Sequence, residues 1–218
     1  MHRWVRFKLE VGRRALGFCQ QHPSPNPGVV SAVEELHRLV THAEQLELLG
    51  VSSTGQGLAA TARRAELRRL IRGYYLRSLL GILDAVALMH PGRVNRWRLP
   101  LFKADDRSFA GTVRAAAAEA RRVEGWVSQH GFPPAAVDEM LALLAEWDQC
   151  GRRQDEARRT RVGARAGLEA ATDRILEVLQ SLDVLFRLEY EPDPALRAEW
   201  ESARHIPWPH RPCIPVAE

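Results

Sequence analysis

GRRQDEARRTRVGARAGLEAATDRILEVLQSLDVLFRL, residues 151–188, is the stretch whose reading decides the fold. Its second half sets Leu168, Ala171, Ile175, Val178, Leu182 and Leu185 at alternating spacings of three and four, with Leu179, Phe186 and Leu188 widening the row. That is one face of an α-helix, broader than a coiled-coil seam and suited to a globular bundle. Continued backwards with the same steps, the row passes through Ala164, Arg161, Ala157, Gln154, Cys150, Trp147, Leu143 and Met140. The segment opens at Pro133-Pro134 and meets no breaker before Pro192, which predicts one very long helix. The spacing sets Arg161 on its buried side.

The first half of the stretch carries six arginines in residues 151–167. Acidic residues stand at helical spacing among them, Glu156 after Arg152 and Asp155 before Arg158 and Arg159, as surface ion pairs require. A solvated helix face and an anion-binding face are therefore both readings of this segment.

The helical pattern extends outward along the chain. Val5, Leu9, Gly12, Leu16 and Cys19 mark a first helix that ends near Gln21, before HPSPNPG. A second helix starts near Pro27 with Asn26 as N-cap and buries Val29, Val33, Leu36, Val40 and Ala43. Its pattern resumes at Leu58, Ala62 and Ala65 and runs through Tyr74 to Met89, on the far side of GVSSTGQG, residues 50–57. Three glycines weaken a helix there by about 1 kcal/mol each. With no proline present, the expectation is a continuous but kinked helix of about sixty residues.

Residues 91–105 read as an irregular connection with Trp97, Pro100 and Phe102 packing over a bundle end. Asp105 or Asp106 then caps a helix bearing Phe109, Val113, Ala116, Ala120, Val123 and Val127, stopped by Gly131 with Phe132. After the long helix, Asp193-Pro194 restarts a short one to about Arg204, whose Leu196, Trp200 and Ala203 form an apolar face that docks on the bundle. HIPWPHRPCIPVAE, with Trp208 and four prolines, reads as an extended tail.

The fold expected is all-α: an elongated antiparallel bundle of four or five helices, two of them unusually long, with a short C-terminal helix and a proline-rich tail. Residues 1–204 form one domain and 205–218 the tail. Apolar content of 45% with 27% charged residues is that of a soluble globular chain, and the scarcity of β-branched runs fits helices. The longest apolar stretch is interrupted by Arg77 and Asp84 and is too short to span a bilayer, and no signal-peptide pattern opens the chain. Three scattered cysteines, Cys19, Cys150 and Cys213, fit a reducing cytoplasm.

Net charge is +4, unevenly spread: residues 51–110 carry eleven basic and four acidic groups, residues 167–218 five basic and ten acidic. Such a chain pairs with itself as readily as with a foreign polyanion. Only Lys8 and Lys103 of the 31 basic residues are lysines, a bias of GC-rich coding that weakens any argument from arginine number. The sharpest functional hypothesis is nonetheless an anion-binding face. Arg63, Arg64, Arg68, Arg69 and Arg72 form one cluster, and Arg152, Arg153, Arg158, Arg159, Arg161 and Arg165 the other. No helix-turn-helix, zinc-finger or RNA-binding motif accompanies them, so solvated faces are preferred.

Glu34 and His37 have the Glu-x-x-His spacing of a di-iron helix but lack the second copy and two further glutamates such a site needs, and His37 and His42 are five apart, off the helical pair spacing. No GxSxG elbow and no phosphate loop occur. Neither metal nor cofactor is expected, and no enzymatic activity.

DPALRAEWESARHIPWP, preceded by VGARAGLEAATDRILEVL, resembles the C-terminal part of all-helical proteins of GC-rich bacteria that end in a DP-x-L-x-x-x-W-x-SAR pattern. The resemblance covers about the last sixty residues, implies an all-helical bacterial protein and carries over no activity. The functional expectation is a non-enzymatic structural or protein-interaction module, with nucleic-acid or other polyanion binding as the alternative. Where the long helices outrun shorter neighbours, leftover apolar seam predicts a homo-oligomer, most simply a two-fold dimer.

Overall fold

The computed structural model of the chain describes residues 3–90, 92, 98–100 and 104–205. Among them there is no strand and there are seven α-helices: α1 (Arg3–Gln21), α2 (Pro27–Leu70), α3 (Arg77–Met89), α4 (Asp106–Arg122), α5 (Glu124–Gln129), α6 (Pro134–Glu189) and α7 (Pro194–Arg204). A π-helical turn, Ile71–Leu76, joins α2 to α3 without a break. The chain is a helical bundle in which the long helices α2 and α6 pack against each other. Trp97, Phe102, Trp208 and the tail beyond His205 lie outside the described residues.

The helix ends form where local chemistry places them. Asn26 accepts from the Gly28 N–H at 2.9 Å and opens α2. Asp105 accepts from Ser108 N at 2.9 Å and opens α4, and Asp193 accepts from Ala195 and Leu196 N and opens α7. Each side chain satisfies N–H groups that a helix start leaves unpaired. At the stop before α6, Gly131 takes φ +82°. Its N–H donates to Ser128 O, and Phe132 N donates to Val127 O at 3.2 Å, the two bonds of a Schellman stop, with Phe132 and Val127 both buried.

α2 passes through residues 50–57 uninterrupted. Ser52 and Ser53 turn their hydroxyls back onto the carbonyls of Leu49 and Gly50, which keeps them from competing with the helix elsewhere.

The chain divides into two compact units. Unit 1 comprises residues 1–53 and 159–218, unit 2 residues 54–158. In unit 1, Val5, Leu9, Val29, Leu36 and Val40 pack with Leu168, Ile175, Leu182 and Phe186. α7 closes this core by its Trp200, whose ring lies 4.7 Å from Phe186 and 5.5 Å from Phe18, while its indole N–H donates to Asp183 at 3.1 Å. Leu196 and Ala203 are partly buried beside it, so the short helix docks on its own bundle. Within unit 2, Leu67, Ile71, Leu76, Leu79 and Leu83 meet Phe109, Val113, Val127, Met140 and Trp147.

Three readings of buried faces and one of helix continuity are corrected. Leu58, Ala62, Ala65, Tyr74 and Met89 are exposed. The inward positions are Ala60, Leu67, Ile71, Leu76 and Leu79, with Arg64 half-buried between them. The π turn adds to the shift, because its wider winding rotates everything after it. Arg161 is exposed, and the half-buried position between Ala157 and Ala164 is Thr160. Ala157 and Ala164 keep their seven-residue interval, and the turn between them divides it three and four rather than four and three, which a helix of 3.6 residues per turn allows equally. Leu188 is also exposed, at the end of its row. Finally, the helix after Asp105 does not run straight to Gly131 but breaks at Val123 (φ −118°, ψ 32°), whose side chain stays buried.

Candidate functional site

Two arginines of α2, Arg64 and Arg68, do not line an open face. Arg64 lies with its guanidinium carbon 4.1 Å from the centre of the Trp147 ring, on α6. Gly151, one turn on from Trp147, makes room for it: a Cβ at that position would stand 3.1 Å from the Arg64 Cζ. Arg68 lies likewise over Phe109 of α4, at 4.7 Å. The electron-rich ring faces stabilise both cations where water is partly excluded. Phe109 and Trp147 meet edge to face at 5.5 Å, so the two stacks share one aromatic base.

A single carboxylate bridges the pair. Asp106, the first residue of α4, takes Arg64 Nη1 on Oδ2 at 2.9 Å and Arg68 Nη1 on Oδ1 at 2.8 Å. Arg64 also donates to Gln154 Oε1 at 3.2 Å, and the Gln154 amide donates to Thr61 Oγ1 at 2.8 Å. Arg68 donates to the Ala104 carbonyl, and Arg72 to that of Pro100 at 3.2 Å. Charge-assisted bonds of this kind are about twice as strong as neutral ones. Their effect is to fasten Pro100, Ala104 and the start of α4 onto the helix that carries the arginines.

The cluster also carries cost. The Nε atoms of Arg64 and Arg68 and the indole nitrogen of Trp147 are buried without a hydrogen-bond partner, each a loss of order 1–3 kcal/mol against full satisfaction.

Arg63 points outward to a different partner. Its Nε and Nη2 grip the Glu146 carboxylate at 2.8 and 3.2 Å, and Nη1 holds Glu66 at 2.9 Å. This bidentate grip holds the Glu146 carboxyl below the usual carboxylate range and raises the Arg63 guanidinium. Arg69 reaches the Ala65 carbonyl of its own helix, at 3.4 Å. Of the first arginine cluster, then, Arg63, Arg64 and Arg68 are all engaged by acceptors within unit 2.

The arginines of α6 are placed otherwise. Arg152, Arg153, Arg158, Arg159, Arg161 and Arg165 are all exposed. Arg165 pairs with Glu169 at 3.0 Å. The expected pairs of Arg152 with Glu156, and of Asp155 with Arg158 or Arg159, do not close among the described residues; each of these side chains turns to solvent, where an isolated helical ion pair is worth only about 0.3–0.5 kcal/mol. The clusters differ because Arg64 and Arg68 of the first meet aromatic rings and a helix start, while the arginines of the second stand exposed on α6.

Glu34, His37 and His42 are exposed on α2, and among the described residues no three histidine, cysteine or acidic groups converge as a metal site would need. Cys19 and Cys150 are core residues, and burial pushes the Cys19 thiol up to about 11, which keeps it protonated. Burial likewise pushes the Tyr190 phenol up to about 12. The hollow beside the α4–α5 break is lined by Arg121, Val127, Phe132 and Asp138, and Arg121 and Asp138 pair across it at 2.6 Å.

The Arg64–Asp106–Arg68 bridge escapes a reading of sequence because Asp106 lies 38 residues beyond Arg68 and Arg64 counts as polar in any tally of faces. The available signal is the pair Trp147 and Gly151, a large ring followed one turn later by a gap. No helix of the described residues is long and apolar enough to cross a membrane. The chain matches no known protein family, no curated protein and no solved structure.

Proposed function

We propose that this chain is a non-enzymatic helical interaction module and that a second copy of itself is its first partner. One observation carries the reading: large apolar side chains stand exposed on otherwise packed helices, several of them paired one turn apart, as Leu48 with Val51, Leu70 with Tyr74 and Val184 with Leu188. In unit 1 these include Leu48 and Val51 of α2 and Val184 and Leu188 of α6; in unit 2 they include Leu58, Leu70, Tyr74 and Leu88. Single exposed leucines are ordinary on any protein, but rows of them on rigid helices are what helix-to-helix association uses. The arginines best placed for a polar site, Arg64 and Arg68, are meanwhile spent on holding α4 to α2.

Sedimentation equilibrium over a range of concentrations tests the proposal. The expected mass rises towards twice the 24.6 kDa of the chain as concentration increases. A mass that stays at one chain up to the solubility limit overturns it.

A second reading, binding to nucleic acid or another polyanion, is favoured by Arg152 and Arg158 of unit 2 and by Arg159 and Arg161 of unit 1. All four are exposed, with no ion-pair partner among the described residues. Retention on a mixed DNA and RNA column at low salt, lost steeply as salt is raised, is the result this reading requires.

A further inference from the structure

Unit 2 carries a self-complementary face on α3 and the π turn before it. Tyr74, Gly81 and Leu88 recur at seven-residue intervals, and so do Arg77 and Asp84, and Ser78 and Ala85. Tyr74 is 69% exposed and Leu88 65%, while Leu79, Leu80, Leu83 and Val86, on the other side of the same helix, are fully or almost fully buried. Nothing lies within 4 Å of where a Gly81 Cβ would stand. The face is large at both ends and small in the middle, with Ser78, Gly81 and Ala85 between the tyrosine and the leucine.

We infer that two copies of the chain associate through this face, antiparallel, about a two-fold axis at Gly81. The inference rests on the self-association proposed above and names its surface. A two-fold contact must be complementary to itself, so that residue i meets residue j and j meets i. Tyr74 and Leu88 lie seven residues either side of Gly81, so each tyrosine ring meets the partner copy's leucine. With no side chain at the axis, the two backbones come close enough for those larger groups to pack.

Charge favours the same pairing over a foreign helix. Arg77 is exposed and has no ion-pair partner among the described residues. Arg77 and Asp84 share one flank of the helix, four residues before and three after Gly81. In the antiparallel arrangement that flank lies against itself, which brings each Arg77 to the other copy's Asp84 and makes the pair twice. A carboxylate accepts from several donors, so Asp84 takes Arg77 in addition to any contact within its own chain. The row from Tyr74 to Leu88 is about 21 Å long at 1.5 Å per residue, a small contact, so the dimer forms with rising concentration and dissociates on dilution.

Two measurements test the face, both in a Cys213→Ser chain so that the remaining native thiols are the buried Cys19 and Cys150. In the first, Gly81→Cys is oxidised beside Gly111→Cys, which puts an equally open thiol on α4 instead of α3. Gly81→Cys is expected to run as a covalent dimer, since thiols at a two-fold axis fall within disulfide reach, and Gly111→Cys as a monomer. In the second, Arg77→Asp is expected to weaken the dimer about tenfold or more by setting like charges together. The double variant R77D/D84R, which restores opposite charges, is expected to recover it, with helical content by circular dichroism unchanged throughout. If the unaltered chain dimerises but Gly81→Cys cross-links no faster than Gly111→Cys, or Arg77→Asp leaves the dimer intact, this face is wrong and self-association stands. If the unaltered chain is monomeric at every concentration, both fall.

Discussion

Within α1 two glycines five residues apart meet opposite surroundings. A Cβ on Gly12 would stand 2.9 Å from Ile175 Cγ2 and 3.2 Å from Val40 Cγ2, inside the core of unit 1. A Cβ on Gly17 would meet nothing within 4 Å. Alanine is the better helix former by about 1 kcal/mol at either position. At Gly17 that gain is unopposed, and Gly17→Ala is expected to raise stability by up to about 1 kcal/mol. At Gly12 the methyl must displace β-branched side chains that have no room to move, an overpacking cost of about 1–3 kcal/mol, so Gly12→Ala is expected to lower stability despite the same propensity gain. Urea unfolding of the two variants separates them. A Gly12→Ala chain as stable as Gly17→Ala would show that unit 1 accommodates the methyl and that the close approach at Gly12 is not a constraint.

Elements are held together by unequal polar contacts. Arg64 and Arg68 keep 23% and 18% of their side-chain surface in water, and Asp106 answers both. Asp106→Asn keeps the shape and removes the charge, leaving two partly shielded guanidiniums without a counter-ion. The expected loss is about 1–2 kcal/mol, less than a fully buried pair would give because Asp106 itself is half in solvent. Asp138→Asn removes the partner of Arg121 at an exposed pair and is expected to cost less than about 1 kcal/mol. Thermal melts of the two variants that coincide would refute a stabilising role for the bridge. This contrast also explains how much of the structure was legible beforehand. Helix starts at Asn26, Asp105 and Asp193 and the stop at Gly131 follow from residues within five positions of each other, and they form where expected. The inward face of residues 58–89 does not follow from local pattern. An arginine lying on a tryptophan looks like solvated surface in sequence, and a π turn without proline or a special cap changes the winding unannounced. The break at Val123 has no breaker residue of its own either, only Gly125 two positions later. The arginine clusters were legible as clusters, but not the division between them, because what separates engaged from solvated arginines is the aromatic and acidic surroundings brought from α4 and α6.

At the scale of the whole molecule, unit 2 is one uninterrupted segment, residues 54–158, whereas unit 1 is assembled from both ends of the chain. Each has its own core, one built around Phe109 and Trp147, the other around Phe18, Phe186 and Trp200. A fragment comprising residues 54–158 is therefore expected to be helical by circular dichroism and to unfold in urea in one cooperative step. A fragment that shows no helical signal would mean that this core depends on the rest of the chain. The same layout imposes an order on synthesis. The partners of Leu9, Val29, Leu36 and Val40 are Leu168, Ile175, Leu182 and Phe186, and more than a hundred residues are made between the two sets. At ribosomal rates of about 5–20 residues per second, the N-terminal helices wait roughly 6–30 s for those partners while unit 2 emerges and closes. Exposed apolar surface in the nascent chain of this protein is thus expected over a defined interval, which begins as α2 leaves the ribosome and ends when the second half of α6 arrives.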